Sequence, residues 1–230
     1  VSIKALGLVE PFESVDIRAK VTGDVIEKST QLIPGGIVSK GDILVQLDPA
    51  DYQLDVMQKQ AALLKAQSDM ALEQGRQEIA RKEVELLQDT VGIESNDFGL
   101  ALREPQKQQA QSQVDLAKAQ LDQAQLQLER TKLQAPFRGM ITETDVSLGA
   151  YVTAQQSLAT LVDISRYWVR ASVSANDLAY IRPGNTVDVL AADTLQAKVT
   201  KIVGKLESNS LLLPLLITVR DPVAENGYPH

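Results

Sequence analysis

The sequence predicts a modular protein of mixed α and β structure, in which two halves of a β-sandwich are separated by an antiparallel helical hairpin and accompanied by a small antiparallel β-barrel. Three observations predict this fold: an internal repeat of strand-like segments, a long helix-forming insertion between its two copies, and further strand-like segments near the C-terminus. The predicted modules are the sandwich at 13–49 and 134–164, the hairpin at 50–133, and the barrel at 1–12 and 165–230.

The internal repeat is visible as two segments that match at nearly constant offset, which changes once, from 116 to 114 positions. Both copies alternate apolar and polar residues between clusters of Gly, Pro and Asp, a pattern typical of short strands joined by turns. Because neither copy is long enough to bury a core alone, the two are predicted to pack on one another. The matched residues are Ala19, Gly23, Val25, Glu27, Gly35, Val38, Leu44 and Leu47 in the first copy, and Ala135, Gly139, Ile141, Glu143, Gly149, Val152, Leu158 and Leu161 in the second.

The insertion is rich in Ala, Gln, Leu, Lys and Glu, which are strong helix formers. Residues spaced in steps of three and four predict an antiparallel coiled-coil hairpin. In the first arm the predicted seam is Leu54, Met57, Ala61, Leu64, Leu72, Gly75, Ile79 and Leu86; in the second it is Ala110, Val114, Ala117, Leu121, Ala124, Leu128 and Thr131. The many Gln residues of the second arm indicate either a solvated face or a contact with neighbouring copies.

The turn of the hairpin is predicted within 88–96, because this position gives two arms of nearly equal length, about 57 Å each by helical rise. Ser95 is then a helix N-cap, and Pro105 kinks the returning helix near the tip. In the alternative, the helix begins at Pro105, a residue favoured in the first turn. We favour the start at Ser95.

The C-terminal part returns to alternating strand patterns, at 167–173, 186–190, 197–203 and 215–219. Together with an N-terminal strand at 2–9, these segments predict the small antiparallel barrel. Trp168 is predicted to fill the core of that barrel.

Composition excludes several function classes. The chain has no Cys and one His, the terminal His230, so neither disulfides nor Ser-His or Cys-His catalysis can be assembled. A net charge of -7 and 4% aromatic residues argue against nucleic-acid binding. No apolar run is long enough to span a bilayer. We therefore expect a protein that is not an enzyme and that has no catalytic, cofactor-binding or metal-binding residues.

Several segments resemble a known family. Residues 17–25 and 38–48 resemble the first half of a biotinyl/lipoyl-like fold, and 133–141 resemble the start of its second half in HlyD-type membrane fusion proteins. Residues 173–178, followed by Pro183 and Gly184, are similar to the barrel of adaptors for resistance-nodulation-division (RND) pumps. The order of these motifs, with a hairpin between the halves, covers essentially the whole chain.

The resemblance implies a split lipoyl/biotinyl-like sandwich and a periplasmic adaptor that links an inner-membrane RND pump to a TolC-type outer-membrane channel for efflux of small molecules. It implies a ring of copies, attached to the inner membrane through a segment absent from this sequence. An adaptor of an ABC-type or type I secretion exporter is the alternative. A biotin or lipoate carrier is disfavoured, because no modified-lysine motif follows Asp48, and Lys28 and Lys40 lie within the first half.

Related adaptors carry an Arg, a Leu and a Ser around the hairpin tip for docking on the channel. The nearest matches here are Arg81, Leu86 or Leu87, and Ser95, although the interval from Arg to Ser is three residues longer than the family pattern. The predicted partner-binding surface is therefore the tip.

Overall fold

The computed structural model describes residues 3–91, 102–174, 177–190, 194–202 and 212–220. Its contacts divide the chain into two units, one formed by Val1–Leu47 with Lys132–His230 and the other by Asp48–Thr131. The first unit holds all the strands described below and a short 3-10 helix, Asp177–Tyr180, and the second holds the two α-helices described below.

The strands of the first unit fall into the two copies of the repeat and a flanking sheet. In chain order they are β1 (Gly7–Pro11), β2 (Ser14–Arg18), β3 (Gly23–Lys28), β4 (Ile37–Val38), β5 (Ile43–Leu47), β6 (Lys132–Gln134), β7 (Gly139–Thr144), β8 (Tyr151–Val152), β9 (Ser157–Asp163), β10 (Arg166–Ser174), β11 (Thr186–Leu190), β12 (Thr194–Ile202) and β13 (Leu212–Arg220). By sequence offset, β2 to β5 correspond to β6 to β9.

Each of the two sandwich sheets takes strands from both copies of the repeat. The strand orders are β2-β9-β7-β4 and β6-β5-β3-β8, and all of the pairings are antiparallel. Exchanging each strand for its repeat equivalent converts one order into the other. The expected packing of the two copies on one another is therefore confirmed, because each sheet is completed by strands of the other copy.

The same internal symmetry extends to individual hydrogen bonds. The amide of Gly35 donates to the carbonyl of Ile141 at 2.8 Å, and the equivalent Gly149 donates to the carbonyl of Val25 at 2.8 Å. Both glycines have positive φ, 86° and 77°, a left-handed conformation that costs glycine little. Matched glycines thus mark matched turns.

The apolar residues of the repeat form the core of the sandwich. Leu44 and its equivalent Leu158 are fully buried, and so are Leu47 and Leu161. Burying a side chain of this size contributes about 1.5 to 3 kcal/mol. The repeat pattern in the sequence is therefore the pattern of core positions.

The second unit is a helical hairpin with arms of unequal length. Helix α1 is Ala50–Val91, with 42 residues, and helix α2 is Glu104–Glu129, with 26. The predicted equal arms are therefore wrong. Arg103 is left-handed, and Pro105 lies in the first turn of α2, where its missing N–H leaves no hydrogen bond unmade. The prediction that the returning helix starts at Ser95 and kinks at Pro105 is therefore wrong, because α2 begins at Glu104. Ser95 itself lies outside the described residues.

The remaining strands form a five-stranded antiparallel sheet in the order β1-β10-β13-β12-β11. Within the described ranges, β1 and β11 are its outer strands and do not pair with each other. One face carries a buried cluster that includes Val169, Ala171 and Ile217. Trp168 lies on the opposite face, half-buried, with its ring edge-on to Phe12 at 5.1 Å. The prediction that Trp168 fills the core is wrong. Successive side chains of a strand lie on opposite faces, so the adjacent Val169 lies in the buried cluster and Trp168 lies on the other face.

Candidate functional site

The contact face of the hairpin is a regular heptad seam on both helices. On α2 the inward residues include Ala110, Val114, Ala117, Leu121, Ala124 and Leu128, which confirms the predicted seam within that helix; the seventh predicted residue, Thr131, is buried but lies beyond the end of α2. On α1 the less exposed residues follow alternating steps of four and three, apart from Asp55, which adjoins the series. The series is Tyr52, Val56, Lys59, Leu63, Ala66, Met70, Glu73, Gln77, Ala80 and Val84. The predicted α1 seam is wrong, because none of its residues is among them.

The residues predicted for the α1 seam instead form a row on the outside of the helix. We call Leu54, Met57, Ala61, Leu64, Leu72, Gly75 and Ile79 the outer stripe. Its large side chains are between 57% and 65% exposed. Residues seven apart in a helix lie within about 20° of one another, so these positions share a face, roughly opposite the seam. Helix α1 therefore has two apolar faces, of which α2 covers one.

An ion pair within the seam ties the start of α2 to α1. The Arg103 guanidinium donates from Nε to Oε1 of Glu73 at 2.6 Å and from Nη2 to Oε2 at 3.0 Å. The side chain of Glu73 is only 9% exposed, and Arg76 also approaches it, at 3.5 Å. Hydrogen bonding from Arg103 lowers the pKa of the Glu73 carboxyl; burial opposes this shift, while the positive charges of Arg103 and Arg76 add to it.

A second polar contact lies beside this ion pair. The side-chain amide of Gln77 donates to Oε1 of Glu104, the first residue of α2, at 2.9 Å. Sequence reasoning missed both contacts, since Glu73 and Gln77 interrupt the apolar pattern of the seam. The signal that would have found them is the strict heptad spacing from Val56 through Leu63, Met70 and Gln77.

The structure describes two of the four predicted docking residues completely. Arg81 is exposed on α1, and Leu86 is 66% exposed on the same helix. A separation of five residues places them about 140° apart around the helix, so they lie on different faces. Leu87 belongs to α1, but its side chain is outside the described residues, and Ser95 is outside them entirely. Whether these residues form one surface therefore stays a prediction.

Within the described ranges the protein has neither a metal-binding cluster nor a membrane-spanning helix. No cluster of three or more His, Cys, Asp or Glu residues there has the arrangement needed to hold a metal ion. None of the helices described is long and apolar enough to cross a membrane.

Comparison with known families identifies the architecture. A family model described as "RND MFP, barrel-sandwich hybrid domain" matches residues 13–164, which include both copies of the repeat and the hairpin between them. The chain belongs to the RND membrane fusion protein family. The prediction of a membrane fusion protein related to efflux adaptors is confirmed by this match.

Curated relatives of this membrane fusion protein include export and resistance proteins. The uncharacterized protein YdhJ of Escherichia coli K12 is 31% identical over 88% of this chain and 70% of its own length. The macrolide export protein MacA of E. coli O157:H7 is 27% identical over 80% of this chain, and the multidrug resistance protein MdtE of E. coli K12 is 30% identical over 74%. The matches span 52% of MacA and 43% of MdtE, so the chain corresponds to about half of these relatives.

Solved structures show the same fold. A MacA-MexA chimeric protein that contains the α-hairpin domain of Pseudomonas aeruginosa MexA aligns with a TM-score of 0.65 at 25% identity, over 96% of this chain and 75% of the chimera. The membrane fusion protein Spr0693 of Streptococcus pneumoniae R6 aligns with a TM-score of 0.68 at 20% identity, over 97% of this chain and 94% of that chain. A helical hairpin combined with antiparallel sheets is therefore the shared architecture.

Proposed function

We propose that this membrane fusion protein is the periplasmic adaptor of a tripartite efflux system, linking an inner-membrane RND pump to a TolC-type outer-membrane channel. The observation that carries the proposal is the place of the hairpin in the chain. It joins β5 to β6, two strands that pair directly, with Val45 opposite Leu133. A rod can therefore be inserted at this point without altering the sandwich, and a rod offers surface for partners rather than a pocket for a substrate.

The proposed organisation has three modules. A split lipoyl/biotinyl-like sandwich comprises 13–49 and 134–164, a helical hairpin comprises 50–133, and a small β-barrel comprises 1–12 and 165–230. The strand exchange between the repeats supports the first module. The five-stranded sheet supports the third as the described part of a barrel.

The proposed partners are the inner-membrane transporter, the outer-membrane channel and further copies of the chain in a ring, with no nucleic acid. An RND transporter is preferred, since the family model is that of RND membrane fusion proteins. An adaptor of an ABC-type or type I secretion exporter is the second candidate. We propose that the protein works in the periplasm, attached to the inner membrane.

The hairpin tip is the proposed docking surface for the channel, through Arg81, Leu86, Leu87 and Ser95. Exposure of Arg81 and Leu86 supports this assignment, because a docking side chain has to be accessible. We propose no enzymatic activity and no cofactor for the chain.

Crosslinking of the full-length protein in its own cells tests the transporter class. A photocrosslinking residue at an exposed position of the strand-rich unit, such as Tyr180, is expected to capture a transporter identifiable by mass spectrometry. Recovery of an RND pump would support the proposal, and recovery of an ABC transporter would replace it with the second candidate. Deleting the adaptor gene should also sensitise the cells to small toxic molecules; unchanged susceptibility to a broad panel would argue against an efflux role.

A further inference from the structure

In the described part of the chain, the five-stranded sheet and the sandwich are joined by a two-stranded ribbon. Strand β1 leads into β2 after two residues, Phe12 and Glu13, and β9 leads into β10 after two residues, Ile164 and Ser165. Because β1 pairs with β10 and β2 pairs with β9, the two breaks lie side by side. A two-stranded ribbon is only marginally stable by itself, so strand pairing alone does not fix its direction at such a break.

Two backbone hydrogen bonds continue the pairing across the breaks. The amide of Phe12 donates to the carbonyl of Arg166 at 3.2 Å, and the amide of Asp163 donates to the carbonyl of Glu13 at 2.9 Å. The two connecting segments are therefore bound to each other and do not form independent linkers.

The carboxylate of Asp163 shapes the second connecting segment. Its Oδ1 accepts hydrogen bonds from the backbone amide of Ser165 at 2.8 Å and from the Ser165 hydroxyl at 2.7 Å. An aspartate that binds the amide two residues later closes an Asx turn. Asp163 is buried, and so is Ile164 within the turn. Strand β9 therefore ends in a defined bend.

A column of side chains joins the two connecting segments. The Cζ atom of Arg166 lies 3.9 Å from the centre of the Phe12 ring, and its Nε lies 3.8 Å from Oδ2 of Asp163. The Phe12 ring meets the Trp168 ring edge-on, with the ring centres 5.1 Å apart. Cation–π and edge-to-face contacts of this kind are attractive and depend on orientation. The column therefore connects the last residue of β9 to the interior of β10.

Neither hydrophobic core accounts for these two aromatic rings. Trp168 lies on the face of its sheet opposite to the buried cluster, and Phe12 lies between two strands. Both residues are nevertheless half-buried. The rings therefore pack at the passage between the sheets and not in the interior of either sheet.

We propose that Arg166 is the positioning residue of a fixed elbow between the sandwich and the five-stranded sheet. Its guanidinium contacts both connecting segments, since it pairs with Asp163 on its own segment and stacks on Phe12 of the other. Without it, the bend of one segment is no longer tied to the other. The functional consequence rests on the proposed adaptor function: with a fixed elbow, a transporter that displaces the five-stranded sheet also moves the sandwich.

Distances between two spin labels test the elbow on the purified chain, which contains no Cys of its own. Lys40→Cys, in a turn of the sandwich, and Lys198→Cys, in β12, supply exposed labelling sites on the two sides of the passage. Double electron-electron resonance gives the distribution of distances between the labels. We expect one narrow peak for the labelled parent chain, and a distribution at least twofold wider when Arg166→Ala is added.

Arg170→Ala is the matched control for this measurement. Arg170 lies four residues along β10 on the same face as Arg166, and it pairs with Glu10 at 3.0 Å, away from the breaks. This variant should keep the narrow peak. Phe12→Leu should widen the distribution, whereas Phe12→Tyr, which keeps the aromatic ring, should not. A role in stability alone would lower the melting temperature of Arg166→Ala without widening the distribution in the folded protein.

Two results would overturn the proposal. Equal widths for Arg166→Ala and Arg170→Ala would show that no elbow depends on Arg166. In cells, full-length protein with Arg166→Ala should confer less resistance to toxic molecules than Arg170→Ala at matched protein levels, and equal resistance would overturn the role in transmission. Failure of the adaptor function itself would instead be seen as unchanged toxin susceptibility on gene deletion, and it would leave the measured distances unaffected.

Discussion

Arg103 donates hydrogen bonds to both carboxylate oxygens of Glu73, at 2.6 and 3.0 Å, and this contact fixes the position along α1 at which α2 begins. Arg103 itself has φ of 58°, a left-handed conformation that an L-residue adopts at a cost. No side-chain hydrogen bond caps α2 at this residue. The ion pair therefore holds the first turn of α2 against α1, in register with the seam, although it does not cap the backbone N–H groups of that turn.

The Glu73 contact predicts a specific response of the hairpin to acid. Arg103 lowers the pKa of Glu73 in the folded protein below the ordinary value of 4.5. The ion pair therefore contributes to stability fully at pH values above 4.5. The contribution is lost as the pH falls through the folded pKa. We expect the melting temperature of the helical signal at 222 nm to fall below about pH 4.5, and to fall less steeply in Glu73→Gln.

Glu78→Gln is the matched control for this experiment. Glu78 pairs with Lys82 at 3.3 Å, but both side chains are 70% exposed, and such pairs contribute little to stability. The control should therefore retain the acid response of the parent protein. An identical pH profile for Glu73→Gln and the parent would contradict a stabilising role of the ion pair.

The internal symmetry of the sandwich predicts a stabilising substitution at Gln155. This residue has φ of 70°, and its equivalent in the first copy is Gly41, with φ of 90°. A left-handed conformation costs an L-residue roughly 1 to 2 kcal/mol, which glycine avoids. Glycine loses more conformational entropy on folding, however, and this offsets about 0.5 to 1 kcal/mol of the gain. Gln155→Gly should therefore raise the free energy of unfolding by about 0.5 to 1 kcal/mol, as measured by urea denaturation.

Gly41→Ala provides the reciprocal test. A Cβ at Gly41 would meet no atom within 4 Å, so only the backbone conformation resists the change. We expect a loss of about 1 kcal/mol. Destabilisation by Gln155→Gly, or no effect of Gly41→Ala, would show that the two turns are not conformationally equivalent.

Gly75 in the middle of α1 offers a test of helix propensity at an exposed position. Gly75→Ala should stabilise α1 by about 1 kcal/mol in dilute protein, because alanine favours the helix and the site is open. Thermal unfolding followed at 222 nm measures this. Gly139→Ala is the contrasting change: its Cβ would clash with the Val162 carbonyl oxygen, so unfolding should occur at lower temperature. A lower melting temperature for Gly75→Ala would mean that the glycine has a role within the chain.

The sequence predicted the repeat and the α2 seam correctly, because in both the apolar positions are the buried ones. It failed on α1, where two rows of residues both have heptad spacing. The outer stripe contains larger and more uniform apolar residues, whereas the true seam is interrupted by Lys59, Glu73 and Gln77. Periodicity reports that a face is apolar, but it does not report which face meets the other helix.

The start of α2 could not be decided from local propensity alone. Ser95 and Pro105 are both acceptable at a helix N-terminus. What favours the later start is the long-range pairing of Arg103 with Glu73, which a local pattern does not encode. The docking residues are harder still, since an exposed side chain leaves no packing pattern in the sequence.

The tip prediction is tested by changing the docking residues one at a time. A leucine that inserts into a groove of a partner typically contributes on the order of 2 kcal/mol or more at a hot spot, and an aspartate there leaves a charge without a partner. We expect Leu87→Asp to abolish efflux, and Leu86→Asp and Arg81→Asp to weaken it. The measurement is drug and metal susceptibility at protein levels matched by immunoblot.

Gln60→Asp is the control for the tip, because Gln60 is an exposed polar residue of α1 far from the turn. It should leave resistance unchanged. Each tip variant should also keep the helical signal of the parent protein at 222 nm. Wild-type resistance in all three tip variants would show that the channel docks elsewhere. Loss of both resistance and the helical signal would show instead that the substitution disrupts the hairpin.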